Sequence, residues 1–97
     1  MTRLIITNQA AADIERLGEF LLESMPHEAI KTSDIVFDGL EVLAAHPGIG
    51  RPVGGNMREL VISRGRSGYL ALYAYDDVAD MVSVLAVRHQ RESGYAE

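Results

Sequence analysis

The sequence contains no cysteine. Disulfide frameworks, thiolate metal sites and a cysteine nucleophile are therefore excluded together. Lysine occurs once, as Lys31. The opening stretch MTRLIITNQAA lacks the apolar core of a signal peptide, and no run approaches the roughly 20 apolar residues of a membrane span. The expected location is the cytoplasm, with no membrane partner. There is also no surplus of positive charge. A net charge of -5 argues against gripping long nucleic acid through phosphate neutralisation.

What is present is an ordinary globular balance, 47% hydrophobic and 24% charged in 97 residues. That suits one domain over residues 1–97 with a real core. The charge is uneven. Residues 1–47 carry eight acidic and three basic groups, whereas residues 48–97 carry six of each. Arg51, Arg58, Arg64 and Arg66 face only Glu59 in their stretch, so an anionic partner should meet the C-terminal half.

RLIIT (3–7) is short and β-branched, and ends in the capping residues Thr7 and Asn8, so a strand should feed a helix starting near Gln9. Ala10, Ile14, Leu17 and Leu21 recur at helical spacing, with Asp13, Glu15, Arg16, Glu19 and Glu23 elsewhere on the wheel. Ser24, Met25 and Pro26 interrupt it. Proline suits a first helical turn, so a second helix should begin there and fold back as an antiparallel hairpin. Ile30, Ser33, Phe37, Leu40 and Ala44, widened by Ala29, Val36 and Leu43, should form its buried face.

HPGIGRPVGGN (46–56) holds two prolines and four glycines and reads as an irregular turn. It lacks the Gly-Lys-Ser/Thr ending of a phosphate-binding loop. RELVIS (58–63), YLALYAY (69–75) and MVSVLAVR (81–88) follow as strands of an antiparallel meander. The order β-α-α-β-β-β implies an α+β fold, a helical hairpin packed on a mostly antiparallel sheet. Side chains alternate along a strand, which puts Tyr69, Tyr73 and Tyr75 on one face and Leu70, Leu72 and Ala74 on the other. The leucine face should meet the helices. The tyrosines then form a partly open stripe for the apolar anchors of a partner helix or for stacking bases, or else pack in the core or at an edge.

Arg88, His89, Arg91 and Tyr95 combine guanidinium donors with an imidazole that titrates near neutrality, forming a candidate contact surface or a solvated strand end. Arg58 either joins them across the sheet or pairs with Glu59 or Asp80. Arg64 and Arg66 are turn residues or a steering patch. His27, His46 and His89 are too scattered for a metal site. No metal or cofactor is expected.

The two-helix N-terminal half, PGIGRPV (47–53), RELVI (58–62) with GYLALYAY (68–75), and VLAVRHQRESGY (84–95), in that order, resemble the ParE/RelE superfamily of toxins, or plasmid-stabilisation proteins. The resemblance implies a RelE/ParE-like fold and a toxin of a type II toxin-antitoxin system, held in a hetero-oligomer by a ParD-like antitoxin. ParE-like members poison DNA gyrase; RelE-like members cleave mRNA. RelE-like nucleases use a lysine pair on the strand occupied by Glu59 to Ile62, and an arginine just after the aromatic corresponding to Tyr69. Here the strand has no lysine and Leu70 follows Tyr69. Attack by a ribose hydroxyl needs a base, an acid and a cation, so this departure favours the ParE-like branch. That reading needs no catalytic residue and no sequence-specific nucleic-acid contact. Its contact residues would be Arg58, Tyr69, Tyr73, Tyr75, Arg88, His89 and Arg91. The alternative is a ribonuclease built on His89, Arg91, Tyr95 and Arg58; another is a weakly toxic antitoxin-binding partner.

Overall fold

A helix cannot start without partners for its first amides, and Thr7 supplies one. Its Oγ1 accepts the Ala10 amide at 3.2 Å and donates to the Val84 carbonyl at 2.7 Å, so one hydroxyl caps the first helix and ties it to the last strand. The computed structural model describes residues 1–24, 26–62, 68–92 and 94–95. Its elements are β1 (Arg3–Ile6), α1 (Asn8–Ser24), α2 (Pro26–Ala45), β2 (Arg51–Gly54), β3 (Met57–Ile62), β4 (Tyr69–Asp76) and β5 (Met81–His89). The sheet runs in the order β1-β5-β4-β3-β2. β1 lies parallel to β5 and all other pairs are antiparallel.

The fold is the expected α+β arrangement with one strand added. The proline- and glycine-rich segment, read as a turn, contains the edge strand β2. All four of its residues are exposed, and Pro52 is tolerated because an edge strand has a side with no ladder to complete. Gly54 and Gly55 turn the chain into β3 at φ values of 130° and 55°. Met25, Arg64 and Arg66 lie outside the described residues, so the turn and steering readings of the two arginines are not tested.

On α1 the expected stripe of Ala10, Ile14, Leu17 and Leu21 is buried. Asp13 is buried as well, contrary to its place on the polar side of the wheel. β1 stops at Ile6, which leaves the Val87 amide of β5 without a strand beside it, and Asp13 Oδ2 accepts it at 3.0 Å. On α2 the buried line is Thr32, Val36, Leu40 and Leu43. It is rotated from the expected face, so Ser33 and Phe37 are exposed; the Ala29 and Ile30 side chains are outside the description. Gly39 lets α2 close on β3, since a Cβ there would sit 2.5 Å from Ile62 Cγ2.

The assignment of the two sheet faces is corrected. Tyr69, Ala71 and Tyr73 face the helices and are fully buried, with Tyr75 packed against the same core, whereas Leu70, Leu72 and Ala74 are the half-buried residues of the other face. The tyrosines can face inward because their hydroxyls find partners. Tyr69 shares a hydrogen bond with Thr32 on α2 at 3.1 Å. Tyr73 accepts the Gly50 amide at 2.9 Å and donates to the Pro47 carbonyl at 2.7 Å. β5 stays in step through a bulge: Leu72 pairs with Ala86 but Tyr73 pairs with Val84, leaving Leu85 as the extra residue.

Candidate functional site

Register partners on neighbouring strands point to the same side of a sheet. The face turned away from the helices therefore carries Glu59 beside Leu72 and Ala86, Val61 beside Leu70 and Arg88, and Arg51 beside Glu59. Val61 is exposed, as are Met57 and Val53 toward the β2 edge. Between β2 and β4 this is an apolar surface with one charged knot, while Arg3 and Asp76 flank Met81 at the far end of the face.

Glu59 is the centre of that knot and only 6% exposed. Arg51 reaches its Oε1 with Nε at 3.0 Å and a terminal nitrogen at 2.5 Å. The Tyr95 hydroxyl donates to Oε2 at 2.6 Å. Burial alone would raise the Glu59 carboxyl, but the Tyr95 hydrogen bond and the Arg51 and Arg88 cations outweigh it and hold it below the usual carboxylate range. Burial and the Glu59 carboxylate push Tyr95 in the other direction, well above an ordinary phenol. Arg88 stacks on the Tyr95 ring, 5.3 Å from its centroid, and donates to the Glu92 carbonyl at 2.7 Å.

The expected C-terminal cluster is thus divided between two faces. Arg88 and Tyr95 meet on the open face. His89 points into the core, fully buried, with its ring edge-on to Tyr69 at 5.3 Å, and its Nδ1 accepts the Arg91 amide at 3.1 Å. Arg91 is exposed. Arg58 joins neither group and makes neither expected ion pair. It is in register with inward-facing Tyr73 and donates to the carbonyls of Gly48 and Gly50 at 3.0 and 2.7 Å, holding the loop before β2. Arg58, His89 and Tyr95 therefore do not converge on one reacting atom. Tyr69 and Tyr73, without exposed surface, offer no side-chain contact to a partner of the free chain.

Glu59 and Arg51 join the candidate site, although in sequence they stand only as an acid among arginines; their i and i+8 positions flanking a glycine-rich turn are the available signal. A second concave surface lies between the helices. Ala11, Ile14, Glu15, Gly18, Thr32, Ser33 and Phe37 line a groove of about 350 Å³, and Phe37 is 43% exposed. Among the described residues no three His, Cys, Asp or Glu side chains gather as a metal-ligand set, and no helix is long and apolar enough to cross a membrane.

Residues 4–94 match the family of ParE toxins of type II toxin-antitoxin systems, parDE. The chain belongs to the ParE toxin family. Toxin RelE3 of Caulobacter vibrioides is 34% identical over 84 residues, which span 87% of this chain and 89% of that protein. Two solved structures share the fold. One is the chromosomal ParDE toxin-antitoxin system from P. aeruginosa, at a TM-score of 0.75 and 22% identity over 92% of this chain and 96% of that one. The other is the toxin-antitoxin complex RelBE2 from Mycobacterium tuberculosis, at 0.59 and 20% over 94% and 93%. In this ParE-family chain the positions where the RelE-like resemblance implies a lysine pair and an arginine fall on the strands of the open face. The outward residues there are Glu59, Val61 and Leu70.

Proposed function

We propose that this ParE-family toxin acts in the cytoplasm by binding a protein target, DNA gyrase, and is silenced by a ParD-like antitoxin. The observation that carries this reading is the chemistry of the open face. A face that cleaves a phosphodiester must stabilise extra negative charge in the transition state. Here Glu59 sits at its centre, Val61 and Leu70 are apolar, and Arg88 is engaged by Glu92 and Tyr95. Such a surface suits apolar docking around a buried carboxylate whose arginine partner stays exposed. The groove beside Phe37, on the acidic half of the chain, suits an antitoxin segment bearing an apolar anchor and basic flanks.

The second reading is an mRNA endoribonuclease. It is favoured by the pairing of Arg88 with Tyr95 on the open face, a cation beside a hydroxyl, and by the likeness to Toxin RelE3. Expression of this chain alone separates the two. Early loss of DNA synthesis, with supercoiling by purified gyrase blocked, supports the binding toxin. Immediate loss of translation with cut mRNA replaces it with the ribonuclease, and absence of arrest leaves only an antitoxin-binding partner.

A further inference from the structure

We infer that Arg16, on the helical hairpin, is a positioning residue for the open face: through Glu92 it holds Arg88 in place and keeps Tyr95 on Glu59.

The contacts run without a break from one layer to the other. On α1, Asp13 lies 3.7 Å from Arg16. Arg16 takes both Glu92 oxygens, at 2.5 and 3.4 Å. Glu92 Oε1 also accepts the His89 amide at 3.0 Å, and the Glu92 amide donates back to the His89 carbonyl at 2.9 Å, closing a tight turn just past β5. The Glu92 carbonyl then takes Arg88, and Arg88 stacks on Tyr95, which reaches Glu59 on β3. One residue, Glu92, thus joins a helix of one layer by its carboxylate to Arg88 on the opposite face of the sheet by its carbonyl.

The chain of contacts buries charge at both ends. Glu59 is desolvated beneath Tyr95, and the Nε atoms of both Arg88 and Arg16 are buried without a hydrogen-bond partner. Removing Arg16 takes away the cation that faces Glu92, and with it the hold on Arg88 and on Tyr95 over Glu59. A partner that touches α1 at Arg16 thereby acts on the open face without covering it. This consequence rests on the toxin reading above; the chain of contacts itself does not.

The test reads Tyr95 in the free full-length protein, without target or antitoxin. Tyrosine ring carbons labelled with carbon-13 report each hydroxyl's ionisation by NMR. In the unmodified protein Tyr95, between Glu59 and the Arg51 and Arg88 cations, stays protonated well above the ordinary tyrosine value of about 10. In Arg16→Ala and in Glu92→Ala it falls to that ordinary value, while Tyr73, buried on the other face, remains raised. Arg16→Lys, which keeps a cation facing Glu92, returns Tyr95 part-way. Should Tyr73 fall too in Arg16→Ala, the fold is lost there and Glu92→Ala decides. A Tyr95 titration unchanged in Glu92→Ala, or already ordinary in the unmodified protein, overturns the inference.

Discussion

The Tyr95 hydroxyl lies 2.6 Å from Glu59 Oε2, joining residues 36 positions apart across the open face. Hydrogen bonds to a charged partner contribute about 1.5–3 kcal/mol, and the exposed side of this one places it at the low end. Tyr95→Phe is expected to lower stability by about 1–2 kcal/mol at pH 7 in urea unfolding.

The same pair sets an acid dependence. Glu59 has a folded pKa below its unfolded value, so its contribution is fully present above the unfolded value and is lost as pH falls through the folded one. The stability gap between the unmodified protein and Tyr95→Phe should therefore close in acid, once Glu59 is protonated in both states. Glu59→Gln should flatten the slope of stability against pH in that window. A gap that persists below the titration of Glu59 would show that the hydroxyl acts through packing alone.

Tyr73 is expected to be the costlier tyrosine. Tyr73→Phe removes the donor to Pro47 and strands the buried Gly50 amide. A loss of about 2–3 kcal/mol follows from one broken bond and one unsatisfied donor. Amide exchange at Gly50 should rise with it, and Arg58 should not compensate, because it holds the loop by carbonyls and not by that amide.

Gly39→Ala places a methyl 2.5 Å from Ile62 Cγ2 and is expected to cost about 1–3 kcal/mol, despite alanine's better helix propensity. Ile62→Ala should relieve it. The double variant is then more stable than the sum of the singles, a coupling that thermal unfolding of the four proteins measures.

Phe37 separates binding from folding. It is 43% exposed at the rim of the helical groove, so Phe37→Ala should change the stability of the free chain by under about 1 kcal/mol. Under the proposed function it should weaken antitoxin capture at least tenfold in a titration. Unchanged affinity would move the antitoxin off this groove.

Periodicity carried most of the architecture: the α1 stripe, the proline at the start of α2 and the three long strands lie where spacing placed them. It did not choose the inner face of β4, because tyrosines and leucines alternate there and both are apolar. The choice rests on hydroxyl partners at Thr32, Pro47 and Gly50, which lie between 23 and 37 residues away in sequence. Asp13 looked solvent-facing because its partner amide, Val87, is 74 residues distant. Arg88 and His89 read as one cluster although adjacent strand residues must part to opposite faces. β2 escaped notice because four residues carrying a proline and a glycine have little strand signal without a neighbour to pair with.

The pairing of β1 with β5 has a consequence for the order of events during synthesis. The first strand waits for the last, and Thr7 completes its double hydrogen bond only when Val84 is in place. Contacts of such long sequence separation form late. A nascent chain released up to Asp80 lacks the strand that joins β1 to β4, so the sheet of the open face is completed only once β5 has left the ribosome.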